Sequence, residues 1–295
     1  MNRIDTAALT RRRAVDPGEI TRAWRNRRRA ERRDGGRMLI VAADHPARGA
    51  LGVRGDATAM ASRADLLRRL AVALTRPGVD GVLGTADILE DLLLSGLLEG
   101  KIVLGSMNRG GLQGAEFEFD DRWTGYDADT LAANGLDGGT MLTRVCLEEE
   151  YTATVLESSG RAVTALASRG LMALVEPFLS VRVSSDTVRN LLDPDSVIKS
   201  IQIAAGLGAT SAYTWLKLPV VAEMHRVLDA TTLPSLLLGG DPVGDADETY
   251  AQWGEALTHP SAMGLVIGRA LLYPAGGDVA QAVDTAASLV HKGVS

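Results

Sequence analysis

Eight short apolar runs recur along residues 37–295, each too short for a helix and most of them rich in Val, Leu or Ile. They are MLIVAAD at 38–44, DGVLGTAD at 80–87, KIVLGSM at 101–107, GTMLTRVC at 139–146, LMALVEPF at 171–178, SAYTWLKL at 211–218, PSLLLGG at 234–240 and GLVIGRA at 264–270. Nearly continuous apolar strands belong to parallel sheets covered on both faces. Between them lie helix-like stretches such as ASRADLLRRLAVALTR, TATVLESSGRAVTALASRG and DPDSVIKSIQIAAGLG. A strand–helix unit repeated eight times over about 250 residues is the pattern of a (β/α)8 TIM barrel. A doubly wound open sheet uses the same units and is the runner-up, but no GxGxxG follows the first run to support it. The expected fold class is therefore α/β, with one barrel over 37–295.

The segment ahead of the barrel has a different character. Residues 1–36 carry 11 arginines against five acids, although the whole chain has a net charge of −6. This is read as a basic helical extension, opened at Asp16 or Pro17 and closed by the DGG at 34–36. Clustered arginines can contact phosphates. A charge run more often forms a solvated face or a self-association surface, and nothing else in the chain interleaves aromatics with bases, so no nucleic-acid partner is expected. No apolar run reaches the roughly 18–20 residues that span a bilayer, so no membrane is expected either. The N-terminus has arginines but no apolar run of the secretory type. The single cysteine, Cys146, rules out an internal disulfide framework and fits a reducing cytoplasm; it is read as a small apolar side chain on the fourth strand.

In a barrel the chemistry sits at the carboxyl ends of the strands and in the loops that follow. That rule selects Asp44 and His45 after strand one, Arg144 on strand four, Glu176 on strand five and Lys217 on strand six. It adds Gly239 and Gly240 after strand seven, and Gly268 and Arg269 after strand eight. Lys217 stands out because the chain has 27 arginines and only four lysines, and this one lies in an apolar strand. An amine can lose its proton and attack a carbonyl, which arginine cannot do. An apolar interior beside a second cation is expected to lower its pKa toward neutrality. The structural alternative is a lysine whose stem lines the sheet while its head reaches solvent.

These stretches resemble the class I sugar-phosphate aldolases of barrel fold: the archaeal-type fructose-bisphosphate, the tagatose-bisphosphate and, more distantly, the deoxyribose-phosphate aldolases. IVAADHPARG resembles their first strand with its Asp-His pair, ALVEP the fifth strand of the tagatose-type enzymes, and GATSAYTWLKLP the strand that delivers the Schiff-base lysine. LLLGGDP and GLVIGRALL resemble the paired phosphate-binding strand ends. The match covers most of residues 37–280 in order. As a whole the chain looks most like an actinobacterial family of predicted aldolases associated with inositol catabolism. That resemblance implies cleavage of 6-phospho-5-dehydro-2-deoxygluconate into dihydroxyacetone phosphate and malonate semialdehyde.

The resemblance implies a lyase in which Lys217 forms an iminium with the ketone of a phosphorylated sugar and Glu176 shuttles protons. Asp44 would orient substrate hydroxyls, and its alternative role is to cap the next loop. Arg144 stands where the tagatose-type enzymes carry a second lysine; it would depress the pKa of Lys217 or grip a substrate carboxylate. Phosphate would meet the backbone of Gly239, Gly240 and Gly268, the side chain of Arg269, and His45 nearby. No cofactor is implied. The four histidines show neither HxH nor HExxH spacing, and Glu116, Glu118, Asp120 and Asp121 lack EF-hand spacing, so no metal is expected. The turn-rich segment 108–130 is read as a lid or a subunit contact. Barrels of this class often assemble, so a homo-oligomer is expected. Two other readings stay open: a barrel isomerase or epimerase, and a catalytically silent sugar-phosphate-binding protein.

Overall fold

Each of the eight apolar runs overlaps a strand in the computed structural model, which describes residues 4–31, 36–185, 187–240 and 244–291. In chain order the strands are β1 (Met38–Ala42), β2 (Gly81–Gly84), β3 (Ile102–Ser106), β4 (Gly138–Val145), β5 (Met172–Ser184), β6 (Thr187–Asn190), β7 (Thr214–Pro219), β8 (Ser235–Leu238) and β9 (Ala262–Ile267). All except β6 are parallel, and they pair in the cyclic order β1, β2, β3, β4, β5, β7, β8, β9 and back to β1. The sheet therefore closes, as the regular alternation predicts, into a (β/α)8 barrel.

The barrel has two apolar layers, which is why its strands lack a visible polar alternation. Ile40, Ala42, Leu83, Leu104, Leu142, Leu174, Leu236 and Val266 point inward and fill the barrel. Their neighbours Leu39, Val41, Val82, Val103, Met141, Val175 and Leu216 point outward against the helices. Successive strand residues face opposite sides, so both sets must be apolar. Each fully buried Leu, Ile or Val contributes about 1.5–3 kcal/mol.

The helices are α1 (Thr6–Val15), α2 (Gly18–Asn26), α3 (Arg63–Leu74), α4 (Ala86–Leu94), α5 (Ala128–Ala133), α6 (Tyr151–Ala167), α7 (Pro194–Ala205), α8 (Met224–Leu228), α9 (Ala246–Ala256), α10 (Arg269–Leu272) and α11 (Val279–His291). Several begin where their sequence says they must. Ser62, Asp127 and Asp193 each accept a hydrogen bond from a first-turn backbone N–H, and Pro194 follows the last of them. Among the described residues no helix is long and apolar enough to cross a membrane.

Two features differ from the sequence reading. The basic segment forms two helices rather than one: Asp16 is the C-cap of α1, Pro17 is the N-cap of α2, and α2 ends at Asn26. Of the expected closing signal at 34–36, Asp34 and Gly35 lie outside the described residues. The segment is also fastened to the barrel, with Leu9 and Trp24 buried. Arg13 pairs with Glu90 at 2.8 Å and Asp91 at 3.0 Å. The Arg27 side chain is fully buried; it donates to the carbonyls of Lys101 at 2.9 Å, Gly135 at 2.8 Å and Leu98 at 3.3 Å. Those carbonyls lie at the amino ends of β3 and β4.

The second difference is β5, which runs well past the expected end at 178. Its extension folds back as an antiparallel hairpin with β6 above the carboxyl ends of the strands. The alternating polar and β-branched residues of VRVSS and TVRN suit an exposed hairpin, but they carry no continuous apolar run to signal it.

Candidate active site

The inward alternation of the strands continues past the apolar filling and changes to charge at their carboxyl ends. Glu176 follows Leu174 on β5, Lys217 follows Trp215 on β7, Arg144 follows Leu142 on β4, and Asp44 lies just beyond Ala42 of β1. Arg144, Glu176 and Lys217 line a cavity of about 750 Å³, and Asp44 lines a smaller chamber of about 40 Å³ that shares His45, Arg48, Glu176 and Lys217 with it. All nine residues selected from the sequence line one or both spaces: Asp44 the chamber, the other eight the large cavity.

At the centre is an ion pair. Lys217 Nζ lies 2.8 Å from Glu176 Oε2, with both side chains largely buried. Burial opposes the charge on Lys217, but the carboxylates of Glu176 and Asp44 outweigh that cost, and Arg48 offsets only part of their pull. The ammonium is thus held above the ordinary lysine range. This corrects the expected lowering toward neutrality. The second cation proves weaker than two buried carboxylates, which converge on the amine from strands far apart in sequence.

Asp44 does not cap the loop that follows it: it occupies the N-cap position of the short 3₁₀ turn His45–Arg48 but makes no side-chain cap bond. Burial pushes its carboxyl up, while Lys217 first, then His45 and Arg48, hold it on balance below the usual range. His45 Nδ1 is 3.5 Å from Asp44 Oδ1. Burial, reinforced by the cations of Arg269, Lys217 and Arg48, outweighs the attraction of Asp44 and pushes the imidazole down to about 4, so it is neutral at pH 7.

Arg144 points to a second cluster, and Lys217 feels Arg48 in its place. Arg144 donates to Glu118 Oε1, and Arg48 Nη2 lies 3.6 Å from the same oxygen. Glu118 comes from the 108–130 segment, where the sequence suggested only a metal-like acidic patch. It is buried and lines the large cavity with Gln113 and Gly114. Burial, with Arg144 next, pushes the Arg48 guanidinium down to about 10, which leaves it charged at neutral pH. Sequence reasoning missed Arg48; the signal was a cation four residues beyond Asp44 in the first catalytic-face loop.

The root of that segment is fixed by Asn108. Its side-chain amide donates to Leu142 O at 2.8 Å and to Asp121 Oδ2 at 2.7 Å, and its Oδ1 accepts from Leu142 N at 3.0 Å. Across the mouth, Gly239, Gly240, Gly268 and Arg269 lie beyond β8 and β9. A Cβ on Gly268 would come within 2.7 Å of Ala42 O and 2.9 Å of His45 Cε1. Gly240 has φ +62° and open space where a Cβ would stand, so its backbone is bared to the cavity. Cys146 is buried and unpaired. Among the described residues no three His, Cys, Asp or Glu side chains form a group able to hold a metal ion.

A closed parallel barrel whose catalytic face gathers a buried lysine–carboxylate pair, an arginine cluster and a glycine-rich rim defines the class: a (β/α)8 barrel with an enzyme-like site. Structures of similar shape include a Schiff-base-forming fructose-1,6-bisphosphate aldolase, at 19% identity and TM-score 0.63 over 92% of this chain and all of that one. Another is fructose-bisphosphate aldolase from Slackia heliotrinireducens, at 17% identity and TM-score 0.64 over 94% of this chain and 87% of that one. At such identities the likeness concerns the fold. The chain belongs to the Cgl0159-like family, whose model matches residues 36–287. The crystal structure of Cgl0159 from Corynebacterium glutamicum is 54% identical over 97% of this chain and 96% of that one, with TM-score 0.93. A search of curated protein sequences returns no match.

Proposed function

We propose that the protein is a class I aldolase, a lyase that makes or breaks a carbon–carbon bond in a phosphorylated keto sugar through a Schiff base on Lys217. The observation that carries this reading is the buried Lys217–Glu176 pair at 2.8 Å on the catalytic face. Glu176 takes the ammonium proton when a ketone enters, the amine adds to the carbonyl carbon, and Glu176 passes that proton and then the one the carbinolamine nitrogen loses to the oxygen, which departs as water. The resulting iminium draws electrons from the adjacent bond and serves as the electron sink for cleavage. Asp44 is placed to orient hydroxyls, and Gly239, Gly240, Gly268 and Arg269 suit a phosphate. The barrel fold shared with Schiff-base aldolases is consistent with this mechanism.

The finer reading takes 6-phospho-5-dehydro-2-deoxygluconate as substrate and rests on the sequence resemblance. Arg144 supports it in part, since it lies on β4, across the barrel ring from β9, and suits an anionic group at the end of the ligand remote from the phosphate. Borohydride reduction in the presence of dihydroxyacetone phosphate, followed by peptide mass spectrometry, tests the chemistry. The expected result is a reduced adduct on Lys217 that is absent from Lys217→Met. No adduct in the parent protein with that or several other keto-phosphates would refute the Schiff base.

A further inference from the structure

The 40 Å³ chamber behind the Lys217–Glu176 pair is not needed to bind a phosphate or to hold the lysine. Lys217 and Glu176 line both it and the main cavity. It is also lined by Ser106 and Thr140, which lie directly opposite each other in the β3–β4 register, and by Asn108, Arg109 and Leu142. Both are buried. Ser106 Oγ and Asp44 Oδ1 are buried without a hydrogen-bond partner in the protein, with His45 Nδ1, likewise without one, standing 3.5 Å from Asp44 Oδ1. Buried polar atoms are almost always satisfied, and such orphans in one small polar space indicate a ligand with hydrogen-bonding capacity. A water needs about 10–15 Å³ and two to four polar partners, so the chamber, at about 40 Å³, holds about three or four at most and is too small for a sugar carbon chain.

We propose that this chamber takes up the water released when the Schiff base forms and supplies, from waters that exchange with solvent, the one that hydrolyses it, with Ser106 and Thr140 as positioning residues. The proposal rests on the aldolase reading. The net step is ketone plus lysine ammonium giving iminium plus one water. The amine nitrogen bonds to the carbonyl carbon, the carbon–oxygen bond breaks, and the two protons that the nitrogen loses, one from the ammonium and one from the carbinolamine, are carried in turn by Glu176 to that oxygen, which leaves as water. In the reverse direction a held water attacks the iminium carbon, and Glu176 carries its two protons in turn back to the nitrogen. Ser106 and Thr140 keep the oxygen beside the reacting atoms; their hydroxyls neither gain nor lose protons.

The test uses the full chain and dihydroxyacetone phosphate labelled with oxygen-18 at the carbonyl. Loss of label to solvent, above the enzyme-free rate, reports each cycle of iminium formation and hydrolysis. For Ser106→Ala/Thr140→Val the expected result is label loss slowed about ten- to a hundredfold, the scale of one or two lost hydrogen bonds in a transition state. KM should move less than about threefold, because uniform binding is untouched. Thr140→Ser, which keeps the hydroxyl, should stay close to the parent rate. Should the double variant not fold, the nearly isosteric Thr140→Val carries the test. Exchange within about twofold of the parent, while the parent still traps on Lys217, overturns the chamber proposal alone. A rise in KM with an unchanged maximal rate also overturns it, because the hydroxyls would then be gripping the ligand. Absence of any Lys217 adduct in the parent withdraws the chamber role together with the aldolase reading.

Discussion

Replacing Arg27 with Met tests whether the arginine-rich segment is a structural part of the barrel. The guanidinium is fully buried and holds three backbone carbonyls, at Lys101, Gly135 and Leu98, between 2.8 and 3.3 Å. A hydrogen bond from a charged donor contributes about 1.5–3 kcal/mol, and a buried acceptor left unsatisfied costs a similar amount. Against this, methionine avoids the several kcal/mol needed to desolvate a charge. The net expected loss is about 3 kcal/mol, because the carbonyls stay while their donor goes. At about 2–4 °C per kcal/mol for a large domain, the midpoint should fall by roughly 6–12 °C. Arg27→Lys retains the charge but offers a point donor in place of a planar fork, so it should lie between parent and Met. Equilibrium urea unfolding, with calorimetry beside it, measures both. If Arg27→Met lies within about 1 kcal/mol of the parent at unchanged m-value, the three bonds do not hold the segment to the barrel and the reasoning fails.

The site gives two further predictions. His45 is pushed down to about 4 from an ordinary 6.5. As pH falls from about 6.5 toward about 4 the unfolded chain takes up a proton that the folded one refuses, and stability should fall by up to about 3 kcal/mol. The difference between parent and His45→Gln in urea titrations across that range isolates the effect; parallel curves would refute it. In Gly268→Ala the new Cβ would stand 2.7 Å from Ala42 O, so the rim must shift. Inhibition by inorganic phosphate should weaken at least about tenfold, and unchanged inhibition would place the phosphate elsewhere.

The barrel was legible because its strands are buried on both faces: residues such as Leu39 and Ile40, which face opposite layers, must both be apolar. The positions of Asp44, Glu176 and Lys217 were legible for a related reason, since a charge within such a run has nowhere to point except the strand's open end. The direction of the Lys217 shift was not legible. It depends on how closely Glu176 and Asp44 approach one amine, and those three residues are brought together only by barrel closure. Arg48 and Glu118 escaped notice because they lie in polar loops, where composition does not separate a buried ion pair from a solvated one. The β5–β6 hairpin escaped because its register is set by two chain segments packing above the mouth rather than by an apolar run. Arg27 was hidden among ten similar neighbours in residues 1–36.

Asn108 has a consequence for how such a barrel can diversify. Its amide meets both the N–H and the C=O of Leu142, as a further residue of β3 would, so a side chain completes the last rung of the ladder. The main chain is thereby released from the sheet at that point while Leu142 stays satisfied. Substitutions at exposed positions such as Glu116 and Phe117 can then be accommodated without passing a register error to β4, whereas Gly110, where a Cβ would collide with Leu142 Cδ2, and Asp121, which accepts from Asn108, are held. The exposed part of the segment that brings Glu118 into the cavity is open to change. Descendants of one scaffold can reshape their ligand preference there while the lysine and its carboxylates stay in place.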